Sequence, residues 1–273
     1  MATGLLWGGN INVPVNVSPS PRLMWNAAVS GTTPFATYPA TYIMRVYPRS
    51  GQPFNASSFW TGLFHADNVV TFSSTIAYYG FHPYPDTVTN NKFMWEISFD
   101  ASDDFTTPVV FDRWYTQVFL CNDDGTNTHL DYYWDYPLIA NVQSDVGVHK
   151  AEPSNPCIVM GDAPWDIGNE VYNGIIRGLQ FYDARLTLAQ VDQEIAAPGS
   201  FRTPWYLNMN PTPDDVRDQS GGNHHPAWVT TERPALWTDR NIIKTVAFKP
   251  QVAAGGGGPV FDSDYLIYQV VQP

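Results

Sequence analysis

Strict alternation of apolar and polar residues is clearest in Lys92–Asp100. The apolar set, placed at every second position, is Phe93, Trp95, Ile97 and Phe99. A period of two puts successive side chains on opposite faces of a strand, so this segment predicts a half-buried antiparallel strand. Phe111–Cys121 repeats the pattern, and its shared face carries Trp114, Thr116, Val118 and Leu120.

Other segments extend the β pattern and add one helix. Thr41–Tyr47, Leu130–Tyr136 and Gly174–Tyr182 are further predicted strands. After the last of these, Thr187 precedes Gln190 by three residues, which is the spacing of a capping box. The following apolar residues fall on one helical face until Pro198 ends the helix. The predicted fold class is therefore all-β, with two packed antiparallel sheets and one short helix.

Composition supports a single large β domain with a core. The chain has 273 residues, of which 44% are hydrophobic, 15% aromatic and only 15% charged. A net charge of −12 argues against nucleic-acid partners and against anionic membrane surfaces. No apolar run approaches the roughly 18 residues that a membrane span needs.

The two ends of the chain differ from its middle. Residues 1–39 are rich in proline and predict an extended arm. Its Trp7 and Trp25 are candidate assembly residues, expected to pack on this domain or on a partner chain. Residues 40–250 form the predicted sandwich. Residues 251–273 contain the glycine hinge Gly255–Gly258 and a strand-forming tail with three candidate assembly residues, Tyr265, Ile267 and Tyr268. That strand could join a sheet edge of this chain or a neighbour, or be an ordinary last strand of the domain.

The segment Cys157–Pro198 resembles the last strands of the concanavalin A-like or laminin G-like jelly-roll family. The matching positions are Gly174, Ile176, Leu179, Phe181, Tyr182, Asp183, Arg185, Leu186 and Thr187. The order of elements around Asp112–Val118 is similar as well, although the histidines usual there in the family are absent. The resemblance covers roughly residues 40–198 and implies a two-sheet antiparallel jelly-roll sandwich.

No set of residues in the sequence matches a known catalytic motif of this fold class. Glycosidases of this fold class need two carboxylates about 5–10 Å apart. The nearest candidate pairs, Glu96 with Asp100 and Asp131 with Asp135, are four residues apart, or roughly 13 Å along a strand. A lyase-like set of Arg113, Tyr115, Gln117 and His129 lacks the motif of any family lyase. We therefore expect no catalytic residues, with a carbohydrate-active enzyme as the alternative.

Candidate binding residues cluster in two places. Asp131, Tyr133, Asp135 and Tyr136 combine aromatic faces with carboxylates, a combination suited to sugars, although strand alternation must bury part of this group. Asp123, Asp124 and Asn127 form an oxygen-rich loop that suits either calcium or a tight turn. Calcium is thus the one candidate cofactor. Cys121 and Cys157 are either two buried free thiols or one disulfide bridge.

The resemblance and the N-terminal sequence lead to a functional hypothesis. The jelly-roll family is usually found outside cells, yet residues 1–15 have neither the charged region nor the continuous apolar region of a secretory signal. Virion proteins need no such signal. We therefore expect a non-enzymatic bacteriophage structural protein (capsid decoration, head fibre or tail component) whose partners are its own copies, other virion proteins and glycans. The alternative is an extracellular free lectin or carbohydrate-active enzyme.

Overall fold

The computed structural model describes residues 2–7, 21–35, 38–49, 64–68, 79–85, 91–97, 101–108, 110–138, 142–161, 172, 174–229, 233–238, 243–245, 250–251, 260–261 and 267–269. Its helices are α1 (Ala27–Ser30) and α2 (Leu188–Ala196). Its strands are β1 (Thr3–Trp7), β2 (Leu23–Trp25), β3 (Ala40–Pro48), β4 (Phe64–Asn68), β5 (Tyr79–Pro85), β6 (Asn91–Ile97), β7 (Ala101–Pro108), β8 (Tyr115–Asp123), β9 (Asn127–Tyr133), β10 (Val142–Val148), β11 (Pro156–Met160), β12 (Gly174–Tyr182), β13 (Tyr206–Asn208), β14 (Ala227–Trp228), β15 (Ala235–Thr238), β16 (Ile243–Thr245), β17 (Pro250–Gln251), β18 (Val260–Phe261) and β19 (Ile267–Gln269).

Two antiparallel sheets face each other across one core. The eight-stranded sheet has the order β10-β9-β8-β3-β12-β1-β15, with β13 also paired to β12, and the seven-stranded sheet has the order β14-β2-β11-β4-β5-β6-β7. Aromatic rings from both sheets meet between them, with Trp25 of β2 against Phe181 of β12 at a centroid distance of 5.2 Å. The predicted all-β, two-sheet antiparallel sandwich is confirmed.

Residues 1–39 supply a strand to each sheet, in contrast to the expected separate arm. β1 lies between β12 and β15, and β2 lies between β11 and β14. Trp7 and Trp25 are both 0% exposed, and each indole donates a hydrogen bond to a backbone carbonyl of the same chain. Their large apolar rings are therefore buried in the core of this domain, which corrects their assignment as assembly residues.

The helices differ in part from the single one expected. The predicted α2 is present, and Thr187 and Gln190 form both hydrogen bonds of the capping box. The additional α1 is only four residues long. Asn26 caps its start by accepting from the backbone N–H of Ala28, and Gly31 ends it in the left-handed conformation that glycine adopts without strain.

The C-terminal strands pair with their own chain and not with either large sheet. β16 pairs with β19, and β17 pairs with β18, in two antiparallel pairs whose registers are nested. Ile267 and Tyr268 thus lie in β19, while Tyr265 lies outside the described residues. We refer to the two strand pairs, β16 with β19 and β17 with β18, as the hairpin arm. The predicted strand exists, and its partner is Ile243–Thr245.

Both cysteines are buried and unbonded, so the free-thiol interpretation is correct. Neither helix in the described residues has the length and apolar character required to cross a membrane.

Candidate functional site

Helix α2 covers only part of the eight-stranded sheet's outer face, the face that points away from the second sheet. Val191 is fully buried where the helix packs on Ile43 and Val118, and Leu188 and Ile195 pack against the same cluster. Glu194 at the end of the helix is 0% exposed. The remainder of this face, beyond the helix, is where polar and aromatic side chains converge.

One row of residues crosses the uncovered part of the sheet. The register pairs Thr116 with Arg45 and pairs Arg45 with Arg177. Farther along, Gly4 pairs with Trp237. A Cβ atom on Gly4 would lie 3.0 Å from Cγ2 of Ile175 and 3.4 Å from the Cβ of Arg177, so the glycine allows β1 to pack closely beside this arginine.

A β-bulge lies directly beside the two arginines. The pairing of β3 with β12 shifts between Arg177 and Gln180, and Gly178 within the bulge has a φ of 64°. Only glycine adopts this conformation without strain. A Cβ built on Gly178 would lie 3.5 Å from Cγ of Arg45, so the arginine stem runs over the bulge.

The row forms one side of a groove of about 290 Å³. Its lining comprises Arg45, Trp114, Tyr115, Thr116, Asp135, Tyr136 and Arg177. The guanidinium of Arg177 lies 5.7 Å from the ring centroid of Trp114 and 5.9 Å from that of Trp237. The two indoles contact each other edge to face at 5.1 Å. We refer to this lined space as the arginine–tryptophan groove.

The described lining of the groove carries two arginines and one carboxylate. Asp135 is the carboxylate that lines it, and Arg113 forms an ion pair with that carboxylate. Arg45 is exposed, and in the described part of the chain no carboxylate pairs with it. Nearby, burial and then the charge of Asp112 raise the pKa of Tyr47 to about 12, which keeps this phenol neutral.

The predicted sugar-binding residues do not form an exposed platform. Tyr133 and Tyr136 are 8% and 7% exposed because both lie in the cluster beneath α2. The hydroxyl of Tyr136 donates to Asp192 of that helix, and Asp131 is paired with Arg185. The structure therefore corrects this prediction, although Asp135 and Tyr136 do border the arginine–tryptophan groove.

The predicted calcium ligands close a turn instead. Asp123 accepts from the backbone N–H of Gly125 at 2.7 Å, and Asp124 accepts from those of Thr126 and Asn127 at 2.8 and 2.7 Å. The hydrogen bonds to Asp124 from Asn127, from Thr126 and then from His129 lower its pKa to about 2. Across the residues that the structure describes, no group of three or more histidine, cysteine, aspartate or glutamate side chains could hold a metal ion.

In the described part of the chain, the candidate catalytic residues do not come together as complete sets. Asp131 and Asp135 each form an ion pair with a different arginine and so are not paired with each other. Gln117 of the lyase-like set is fully buried between the sheets. The side chain of Glu96, and Asp100 as a whole, lie outside the described residues.

The sequence-based selection missed Arg45, Trp114 and Arg177. A signal was nonetheless present, because Arg45 and Arg177 are the lone charged residues of the otherwise largely apolar strands ATYIMRVYP and GIIRGLQFY. Their alignment depends on the strand register across the bulge, and no local pattern encodes that register.

Comparisons with known proteins give remote structural similarities. No protein-family model matches the chain, and the search of curated proteins finds no relative. A heptameric SAP-like pentraxin from Limulus polyphemus has a TM-score of 0.44 at 13% identity, with 71% of this chain and 81% of that chain covered. A provisionally assigned carbohydrate-binding protein of Bacteroides ovatus has a TM-score of 0.46 at 10% identity, with 86% of this chain and 61% of that chain covered. The CBM40 of a Ruminococcus gnavus IT-sialidase has a TM-score of 0.37 at 12% identity, with 60% of this chain and 83% of that chain covered. Similarity at this level carries no conclusion about family or function.

Proposed function

We propose that this protein is a non-enzymatic, lectin-like jelly roll that binds carbohydrate in the arginine–tryptophan groove. The observation that carries the proposal is the half-buried Trp114 beside Arg45 and Arg177 in an open depression of the sheet. An indole offers an apolar face to the C–H groups of a sugar ring, and guanidinium groups donate hydrogen bonds to its oxygens.

The size of the groove fits a small ligand. Its volume of about 290 Å³ lies at the lower end of the range for ligand sites, roughly 300–1,000 Å³. One or two sugar rings would occupy it, with longer glycans continuing across the sheet surface. The lining favours binding over hydrolysis, since Asp135 is the one carboxylate among its described residues and is held by Arg113.

A glycan array tests this proposal with one variant and one matched control. Trp114→Ala removes the stacking face and should abolish binding to every glycan that the wild-type protein retains. Trp228→Ala is the control, because Trp228 is another partly buried indole with an arginine, Arg233, 5.2 Å from its ring centroid and lies outside the groove. Absence of wild-type binding across the array, or equal losses in the two variants, would refute the proposal.

A virion structural role is the second candidate function. It is favoured by the hairpin arm, whose described strands pair with each other and with neither large sheet. An isolated two-stranded hairpin is at best marginally stable in water, so such an arm gains from packing on another chain. The jelly roll would then be displayed outward as a capsid decoration, head-fibre or tail component, with its glycan groove available for binding.

Light scattering on the full chain and on a chain ending at residue 242 tests this role. We expect a defined oligomer that dissociates when the hairpin arm is removed. Two monomeric species would count against assembly through the arm while leaving the glycan-binding proposal intact.

A further inference from the structure

We infer that Asp135 determines which sugars the arginine–tryptophan groove accepts, because one oxygen of its carboxylate must receive a hydroxyl donor from the ligand. Arg45 supplies the complementary donor to a second oxygen of the same sugar ring. The favoured ligands carry a free hydroxyl at the position that faces Asp135, and sugars that are deoxy, O-methylated or O-sulfated at that position are rejected. This inference rests on the proposed carbohydrate-binding function and specifies its ligand class.

The first step is the unequal use of the two carboxylate oxygens of Asp135. Arg113 donates a hydrogen bond to Oδ2, and its guanidinium lies 4.1 Å from the ring centroid of Tyr115, which helps to hold the arginine in place. In the described part of the chain no group donates to Oδ1. The side chain of Asp135 retains 14% exposure and lines the groove. Its second oxygen is therefore an acceptor that a ligand can use.

The second step is the chemistry of that oxygen. An ionised carboxylate accepts hydrogen bonds but cannot donate one. A hydroxyl of the ligand satisfies it with a charge-assisted hydrogen bond, which is stronger than a bond between neutral groups. A ring carbon without a hydroxyl, an ether oxygen or a sulfate oxygen brings no donor. Binding of such a sugar would remove water from the carboxylate without replacing the hydrogen bond, so the affinity should fall.

The third step is the donor on the opposite side of Thr116. This threonine pairs with Arg45 on one side. On its other side, its carbonyl accepts from the N–H of Tyr136, which follows Asp135 in the chain. Two strand spacings amount to about 10 Å, which leaves room for one sugar ring between the flanking side chains. Arg45 is exposed, and a guanidinium can only donate. A ring bound across Thr116 can therefore donate to Asp135 and accept from Arg45.

Analogues of a single sugar test the inference on the wild-type protein. The methyl glycosides of glucose, galactose, mannose and N-acetylglucosamine are ranked by ligand-observed NMR titration, and the tightest is compared with its deoxy and deoxyfluoro forms at each hydroxyl position. Fluorine accepts weakly and cannot donate. We expect one position at which both forms lose about ten-fold or more in affinity, which is the position that Asp135 contacts. At a second position, fluorine should recover part of the loss that the deoxy form shows, because Arg45 requires only an acceptor.

Variants identify the residue behind each position. Asp135→Asn keeps the size of the side chain and removes its charge, so it should weaken binding of the parent glycoside about ten-fold. It should change the affinity of the deoxy form at the first position by less than two-fold, because that form makes no bond for the variant to lose. Arg45→Met should behave in the same way with the deoxy form at the second position. Asp183→Asn is the matched control, because Asp183 is a carboxylate paired with Arg202 away from the lining residues, and it should change neither affinity.

The outcomes separate the two proposals. Affinities within two-fold of the parent glycoside for every analogue, or equal losses of parent and deoxy form in Asp135→Asn, overturn the role of Asp135 and leave carbohydrate binding in place. Binding of none of the four glycosides overturns this inference even where the array shows binding. Binding neither to these glycosides nor to the array overturns both proposals.

Discussion

The carboxylate of Glu194 should be the most sensitive single group for stability near the groove. It is fully buried and accepts four hydrogen bonds. One oxygen accepts from the Tyr182 hydroxyl at 2.7 Å and from the backbone N–H of Gly199, and the other accepts from the backbone N–H groups of Phe201 and Arg202 at 2.7 and 2.8 Å. These bonds join the end of α2 to β12 and to the loop that follows the helix.

Glu194→Gln replaces one acceptor oxygen with an NH₂ donor. In the less costly orientation the NH₂ replaces the oxygen shared by Tyr182 and Gly199, so the Gly199 N–H faces another donor while the Tyr182 hydroxyl can accept from the NH₂ and donate to Gln180. The remaining hydrogen bonds then lose their charged acceptor. A hydrogen bond to a charged group contributes about 1.5–3 kcal/mol, so we expect a loss of about 3–5 kcal/mol in the free energy of unfolding. Because α2 covers Tyr133 and Tyr136, the same change should loosen the wall of the groove.

Urea denaturation followed by tryptophan fluorescence measures this loss. Asp183→Asn is the matched control, because its carboxylate is 47% exposed and pairs with Arg202. Exposed ion pairs contribute about 0–1 kcal/mol, so the control should remain close to wild type. A Glu194→Gln protein within 1 kcal/mol of the wild type would refute the reasoning, since roughly that much is expected from the loss of a single ordinary hydrogen bond.

Three further outcomes are expected. Arg45→Met keeps the apolar stem of an exposed side chain, so thermal denaturation should place the variant within about 0.5 kcal/mol of the wild type. Burial acts to raise the pKa of Asp218, but the hydrogen bonds that its carboxylate accepts outweigh burial and lower it. The stability that Asp218 contributes is therefore present above its ordinary pKa near 4 and is lost as pH falls through the lowered value. Asp218→Asn should consequently be less stable than the wild type at pH 7, and its stability should fall less steeply in acid on a pH-denaturation curve. Burial raises the pKa of the Cys121 thiol, and Cys157 is buried as well, so a disulfide reagent should label neither cysteine before the protein unfolds. Labelling of the folded protein as fast as that of an exposed thiol would contradict this burial.

The sequence was most informative where local periodicity determines structure. Gly174–Tyr182 is recovered with the bounds predicted for it, and α2 begins after Thr187 because its capping box is a local feature. The four-residue α1 is too short to give a helical period, and its start depends on the Asn26 cap alone. Trp7 and Trp25 were assigned to an extended arm because β1 and β2 are too short, at five and three residues, to show a clear alternation. The strands with which they pair, β12 and β11, lie far along the chain.

The site was predictable only in part for a similar reason. Alternation predicted that part of the Asp131–Tyr136 cluster would be buried, but it could not show that α2 covers Tyr133. The pairing of Arg45 with Arg177 joins strands 132 residues apart and depends on the bulge at Gly178. Such long-range register is a property of the assembled sheet.

The most direct test of carbohydrate binding in the arginine–tryptophan groove is a two-dimensional NMR titration of the wild-type protein with its best glycan from the array. Saturable shifts of the Trp114 indole N–H and the Arg45 Nε–H, with Gly125 at the distant hairpin turn unchanged, are the predicted result. Saturable binding that leaves Trp114 and Arg45 unshifted would place the ligand elsewhere and contradict the assignment of the groove.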